Sequence, residues 1–169
     1  LRPVGTDAIR DAFRRKLDFF AERIGEHPGV FAWELWNEIN SVGAPPERWL
    51  DWTDAMLAEL KARFPNTLAM QSLGSYDRLA KVPVYLATMN LPSLEVAHAH
   101  RYLDLGAPDP LCRGPMDVLA AEAITALRAM TCRPKPAILG EVGAVEPRHS
   151  GPWALYERDQ IGRASCRER

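Results

Sequence analysis

The stretch Phe31-Ala32-Trp33-Glu34-Leu35-Trp36-Asn37-Glu38-Ile39-Asn40 constrains the chain more than any other. A run of aromatic and aliphatic residues that ends abruptly in Asn-Glu has the pattern of a buried strand whose last residues leave the core and present a carboxylate at the strand's carboxyl end. That end is where α/β folds keep their chemistry. Glu38 by itself also fits a solvated loop acid, so its meaning depends on what the rest of the chain brings beside it.

The chain before this stretch reads as a helix. Ile9, Phe13, Leu17, Phe20 and Ile24 recur at spacings of three and four, with Thr6 or Asp7 as the cap and Gly25 as the stop, and His27-Pro28-Gly29 turns into a strand over Val30 to Trp36. Pro46 is placed to open a second helix through Trp49, Trp52, Met56, Leu57 and Leu60 to Phe64. Trp49 and Trp52 sit at helical spacing and are expected to pack. A second strand is expected over Thr67 to Ser72, and Gly74-Ser75-Tyr76 as a loop at its carboxyl end. Asp77 to Asn90 is hardest to read, because Pro83 interrupts what would otherwise pass for a helix. Leu94 to His100 is the third strand, Arg101 to Gly114 an irregular loop, Asp117 to Met130 an Ala- and Leu-rich helix, and Ala137 to Val142 the fourth strand. Regular alternation of helix and strand predicts an α/β fold with a parallel sheet.

Two further strand ends carry candidate chemistry. Ala97-His98-Ala99-His100-Arg101-Tyr102 places His98, His100 and Tyr102 on one side of a strand. Ile138-Leu139-Gly140-Glu141-Val142-Gly143 supplies a second carboxylate. The residues themselves also allow a plainer reading, in which the histidines are satisfied core residues and Tyr102 packs; His98, deeper in its strand, is expected to be structural.

Taken together and in this order, Asn37-Glu38, His100-x-Tyr102 and Gly140-Glu141-x-Gly143 resemble the clan A retaining glycoside hydrolases, most nearly family 5, the cellulase and mannanase type. The resemblance covers Asp18 to about Asp159. It implies a partial TIM (β/α)8 barrel, roughly the unit from helix 3 to strand 7, with Glu38 as acid/base on the fourth barrel strand and Glu141 as nucleophile on the seventh. It further implies Asn37 donating to a sugar 2-hydroxyl, His100 lining the sugar subsite, and Tyr102 hydrogen-bonding the nucleophile. Trp153, in the loop after Glu141, is the candidate for stacking on a pyranose face. No metal and no cofactor are implied. A retaining pair should hold its carboxyl groups about 5–5.5 Å apart, against about 6.5–9.5 Å for inversion.

Length enters at this point, since 169 residues fall short of the roughly 250 of a complete barrel. Residues 1–159 are therefore expected to be part of a hydrolase barrel, with barrel strands one to three and eight outside the chain. The last ten residues, Gln160 to Arg169, can be encoded by CAG ATC GGA AGA GCG TCG TGT AGG GAA AGA, the start of a common sequencing-library adapter, and are expected not to be native.

A composition of 47% hydrophobic and 25% charged residues with net charge −1 suits an ordinary globular chain and gives no basic surface for nucleic acid. No apolar run approaches the roughly 20 residues of a membrane span. The expected partner is a β-linked oligo- or polysaccharide, with no nucleic acid, no membrane and a monomeric complete protein; localisation stays open, secretion included. Two other classes remain compatible with the residues: a metal-dependent barrel enzyme using Glu38, Glu141, His98 and His100 as ligands, and a non-catalytic carbohydrate-binding relative.

Overall fold

The computed structural model describes residues 6–74, 79–103 and 116–144. Trp153, the loop around it and residues 160–169 lie outside these. Helix and strand alternate as α1 (Asp7–Arg23), β1 (Ala32–Glu34), α2 (Pro46–Arg63), β2 (Leu68–Leu73), α3 (Val82–Met89), β3 (Val96–Leu103), α4 (Met116–Ala129) and β4 (Ala137–Ala144). The strands form one sheet in the order β1-β2-β3-β4, every neighbouring pair parallel, and the sheet curls. Among the described residues the chain is thus a partial α/β fold built from a parallel sheet and four α-helices.

The helical periodicity reflects real burial. Along α2, Trp49, Trp52, Met56, Leu57 and Leu60 are all buried, and Pro46 opens the helix, where a missing N–H has no partner to lose. On α1 the apolar stripe meets α2 edge-on, with Phe13 and Trp52 centroids 4.8 Å apart, and meets β1 through Phe20, whose ring is 5.6 Å from that of Trp33. Each large side chain buried this way contributes roughly 1.5–3 kcal/mol. Outside the stripe, Arg63 joins the helices by donating to Asp18 at 2.6 Å and to Glu59 at 2.8 Å, while Arg14 reaches Glu59 at 3.0 Å.

Four boundaries differ from the pattern-based expectation, each for a local reason. β1 covers only Ala32–Glu34 because the chain turns out of the sheet at Trp36, whose carbonyl is taken by side chains of β2. Phe31, read as strand core, is 63% exposed. Pro83 does not interrupt a helix: it stands in the first turn of α3, preceded by a 3-10 turn at Leu79–Lys81. Ile24 lies beyond the end of α1 and is exposed, the chain reversing at Gly25 with φ +53°. Finally, β3 runs to Leu103, so Arg101 is a fully buried strand residue facing α4 and not the start of a loop; its guanidinium stands 3.6 Å from Glu122.

Candidate active site

Pairing fixes which side chains share the concave face. Residues directly opposite in a parallel pair point the same way, and successive residues alternate. From Glu34↔Met70, Met70↔Val96, Ser72↔His98 and His100↔Glu141, the residues Glu34, Ser72, His98, His100 and Glu141 all face one side, and Tyr102↔Gly143 adds the phenol.

Glu141 reaches that side only because β4 is irregular. Ala99 pairs with Leu139 but His100 pairs with Glu141, so Gly140 is an extra residue in the strand. Without the bulge, alternation from Ile138 would put Gly140 inward and Glu141 on the helix side. The glycines on either side of Glu141 make room for rings of β3. A Cβ on Gly140 would overlap Nε2 of His98, and one on Gly143 would come within 2.9 Å of the Tyr102 ring. Gly-Glu-x-Gly is therefore a packing requirement here: the tip of the His98 ring and one edge of the Tyr102 ring press on the β4 backbone below and above the carboxylate.

Glu38 is set by a turn that β2 holds. It has φ 49° and ψ 57°, left-handed backbone that a residue with a side chain rarely adopts, and it is alone in this among the described non-glycine residues. Its N–H donates to Ser72 Oγ at 2.9 Å, and its carbonyl accepts from Ser41 at 2.8 Å. Gln71 Nε2 donates to the Trp36 carbonyl and, at 2.8 Å, to that of Ser72. Asn40 Oδ1 accepts from the Gly74 N–H at 2.8 Å, and the Glu38 carboxyl lies over Gly74, where a Cβ would sit 3.2 Å from its carbon.

His100 bridges the two acids. Its Nδ1 is 2.8 Å from Glu38 Oε1 and 3.4 Å from Glu141 Oε2, and its side chain is 2% exposed. Tyr102 donates to the same Glu141 oxygen at 2.6 Å, a short charge-assisted bond. That bond, followed by burial and the negative charge of Glu141 and Glu38, pushes the Tyr102 phenol up to about 12. One oxygen of each carboxylate and a His100 ring nitrogen lie within 4.8 Å of one another. Both carboxylates keep partial access to solvent, while the imidazole beneath them does not.

The structure thus brings together Glu38, Glu141, His100 and Tyr102. Asn37 stands next to Glu38 with its side chain exposed and makes no hydrogen bond within the described residues. Trp49 and Trp52 are core residues at 1% and 0% exposure. Missed by sequence reasoning were Gln71, Ser72 and Asn40, which carry the Glu38 turn, and Glu34. A polar pair at the end of an apolar strand was a usable signal for Gln71 and Ser72; Glu34 was marked by being an acid inside a strand core. Neither the protein-family models nor the curated proteins returned a match to this chain.

Proposed function

We propose that this chain carries the catalytic pair of a retaining glycoside hydrolase, its four strands being strands four to seven of a TIM (β/α)8 barrel, and that the substrate is a β-linked oligo- or polysaccharide. The observation that carries the reading is the approach of Glu38 and Glu141 to within 4.8 Å, oxygen to oxygen, on one face of the sheet. Such a closest approach is compatible with the roughly 5–5.5 Å carboxyl separation of a retaining pair.

In this reading Glu141 attacks the anomeric carbon as the glycosidic C–O bond breaks, and Glu38 gives its proton to the departing oxygen. Glu38 then takes a proton from water, which attacks the anomeric carbon and releases Glu141. Tyr102 orients the Glu141 oxygen it already contacts, and His100 fixes the Glu38 carboxyl. Asn37, exposed beside Glu38, is available to a sugar hydroxyl, and Trp153 is the proposed stacking residue.

The test is product stereochemistry. The complete protein carrying this chain should release products with the anomeric configuration of the substrate on one of a panel of β-glucans and β-mannans, followed by NMR. Glu141→Gln should lose turnover and keep sugar binding, because the nucleophile acts in the chemical step. Inverted product, or an active Glu141→Gln enzyme, would remove the proposal.

A further inference from the structure

Below the carboxylate pair, toward the amino ends of the strands, lies a second polar group that the proposed hydrolysis does not use. Glu34 on β1 and His98 on β3 face the same side as His100. The His98 side chain is 2% exposed, and neither of its ring nitrogens has a hydrogen-bond partner among the described residues. Glu34 Oε1 is likewise buried and unpartnered, 3.9 Å from His98 Nδ1, which is beyond hydrogen-bond reach. Orphaned buried groups of this kind are costly, and native structures usually fill them.

The donor set indicates what fills this one. One oxygen of Glu34 and one ring nitrogen each of His98 and His100 lie within 4.8 Å of one another. Ligands around a tetrahedral ion at Zn–N and Zn–O lengths of about 2.0–2.2 Å stand about 3.4 Å apart, so the 3.9 Å between Glu34 and His98 needs only a small side-chain adjustment. His98 Nε2 abuts the backbone of Gly140, leaving Nδ1 to ligate on the side of Glu34. Because His100 Nδ1 bonds Glu38, an ion would take this ring through Nε2, with the carboxylate–histidine support that metal-binding imidazoles usually have.

We infer that Glu34, His98 and His100 form a binding site for a divalent transition ion of the zinc type, beneath and distinct from the carboxylate pair. Two imidazoles and one carboxylate suit zinc or cobalt, whereas calcium and magnesium prefer all-oxygen sites. The neighbouring trio Glu38, His100 and Glu141 also gathers within 4.8 Å, but its atoms already bond to each other and to Tyr102, so nothing there is left orphaned. The inference goes beyond the hydrolase reading and does not depend on it.

The full chain, stripped with chelator, should bind Zn2+ with 1:1 stoichiometry by calorimetry. Co2+ in its place should give the intense visible absorption of a four- or five-coordinate site. X-ray absorption of the zinc form should count two imidazoles, where the upper trio can offer only one. Glu34→Gln and His98→Asn should each weaken binding by about 100-fold or more, and Glu141→Gln should leave it within a few-fold. Absence of stoichiometric binding, a single imidazole in the spectrum, or loss of binding in Glu141→Gln with retention in Glu34→Gln would overturn the inference. The spectrum of the unsubstituted chain decides even where a variant fails to fold.

Discussion

The His98 ring points its Nε2 tip so closely at the Gly140 backbone that a methyl group on Gly140 would overlap that nitrogen, with Cε1 3.0 Å and Cδ2 3.2 Å away. Because Gly140 is also the extra residue of the β4 bulge, His98 and the inward orientation of Glu141 are mechanically linked. Gly140→Ala should therefore destabilise by about 1–3 kcal/mol through overpacking, and in the complete protein it should reduce turnover by turning Glu141 away. His98→Ala in the same chain should recover much of the loss. A double-mutant cycle measured by denaturant unfolding checks this, and simple additivity of the two changes would show that the contact is not tight.

Tyr102 carries a pH dependence of known sign. Its folded-state value of about 12 lies above the ordinary 10.0 of an unfolded tyrosine. The folded protein therefore holds the proton longer, and the stability gained from the Tyr102–Glu141 bond is fully present below pH about 10 and is lost as pH rises toward about 12. Alkaline spectrophotometric titration should show a late-ionising component that is lost in Tyr102→Phe. In Glu141→Gln it should ionise earlier, since the first cause of the shift is gone. A wild-type Tyr102 titrating with the exposed tyrosines would contradict the bond.

Ser72 holds the Glu38 turn without touching any reacting group. Ser72→Ala removes the oxygen that accepts from the Glu38 N–H at 2.9 Å and leaves that donor partly buried. The expected cost is about 1–3 kcal/mol of stability. Under the hydrolase reading, kcat should fall while KM changes little, because a misplaced acid/base affects the chemical step more than ground-state binding. A change confined to KM would assign Ser72 to substrate contact.

What the sequence made legible follows from which forces act locally. The long helices α1, α2 and α4 could be read because their apolar stripes are their packing faces. The end of β1 could not, because it is decided by Gln71 and Ser72, more than 30 residues away, capturing the Trp36 carbonyl. Pro83 misled because the same residue breaks a helix interior and opens a first turn. The side on which Glu141 emerges was hidden too, since a one-residue bulge reverses the parity that alternation predicts. Glu34 shares the parity of Glu38 along the chain, yet the apolar run around it read as uniform strand core and concealed an inward-facing acid.

Glu38 provides the clearest test of the backbone itself. At φ 49° and ψ 57° an L-residue carries about 1–2 kcal/mol of steric cost that glycine does not. The turn is kept because it lets the Glu38 carboxyl pass over Gly74 and reach His100 Nδ1 at 2.8 Å. In most positions alanine is the more stable choice, because glycine leaves a looser unfolded chain by about 0.4–1 kcal/mol. At position 38 the order should reverse. Glu38→Gly and Glu38→Ala both delete the carboxylate and its bond to His100, so that loss cancels between them, and the glycine variant should be the more stable by up to about 1 kcal/mol. Chemical denaturation of the two variants side by side measures the difference, while both should lack turnover in the complete protein. An alanine variant as stable as the glycine variant would mean that the Glu38 backbone relaxes out of the left-handed region once its carboxylate is gone. The side-chain contact with His100 would then hold the turn, in place of the Ser72 hydroxyl.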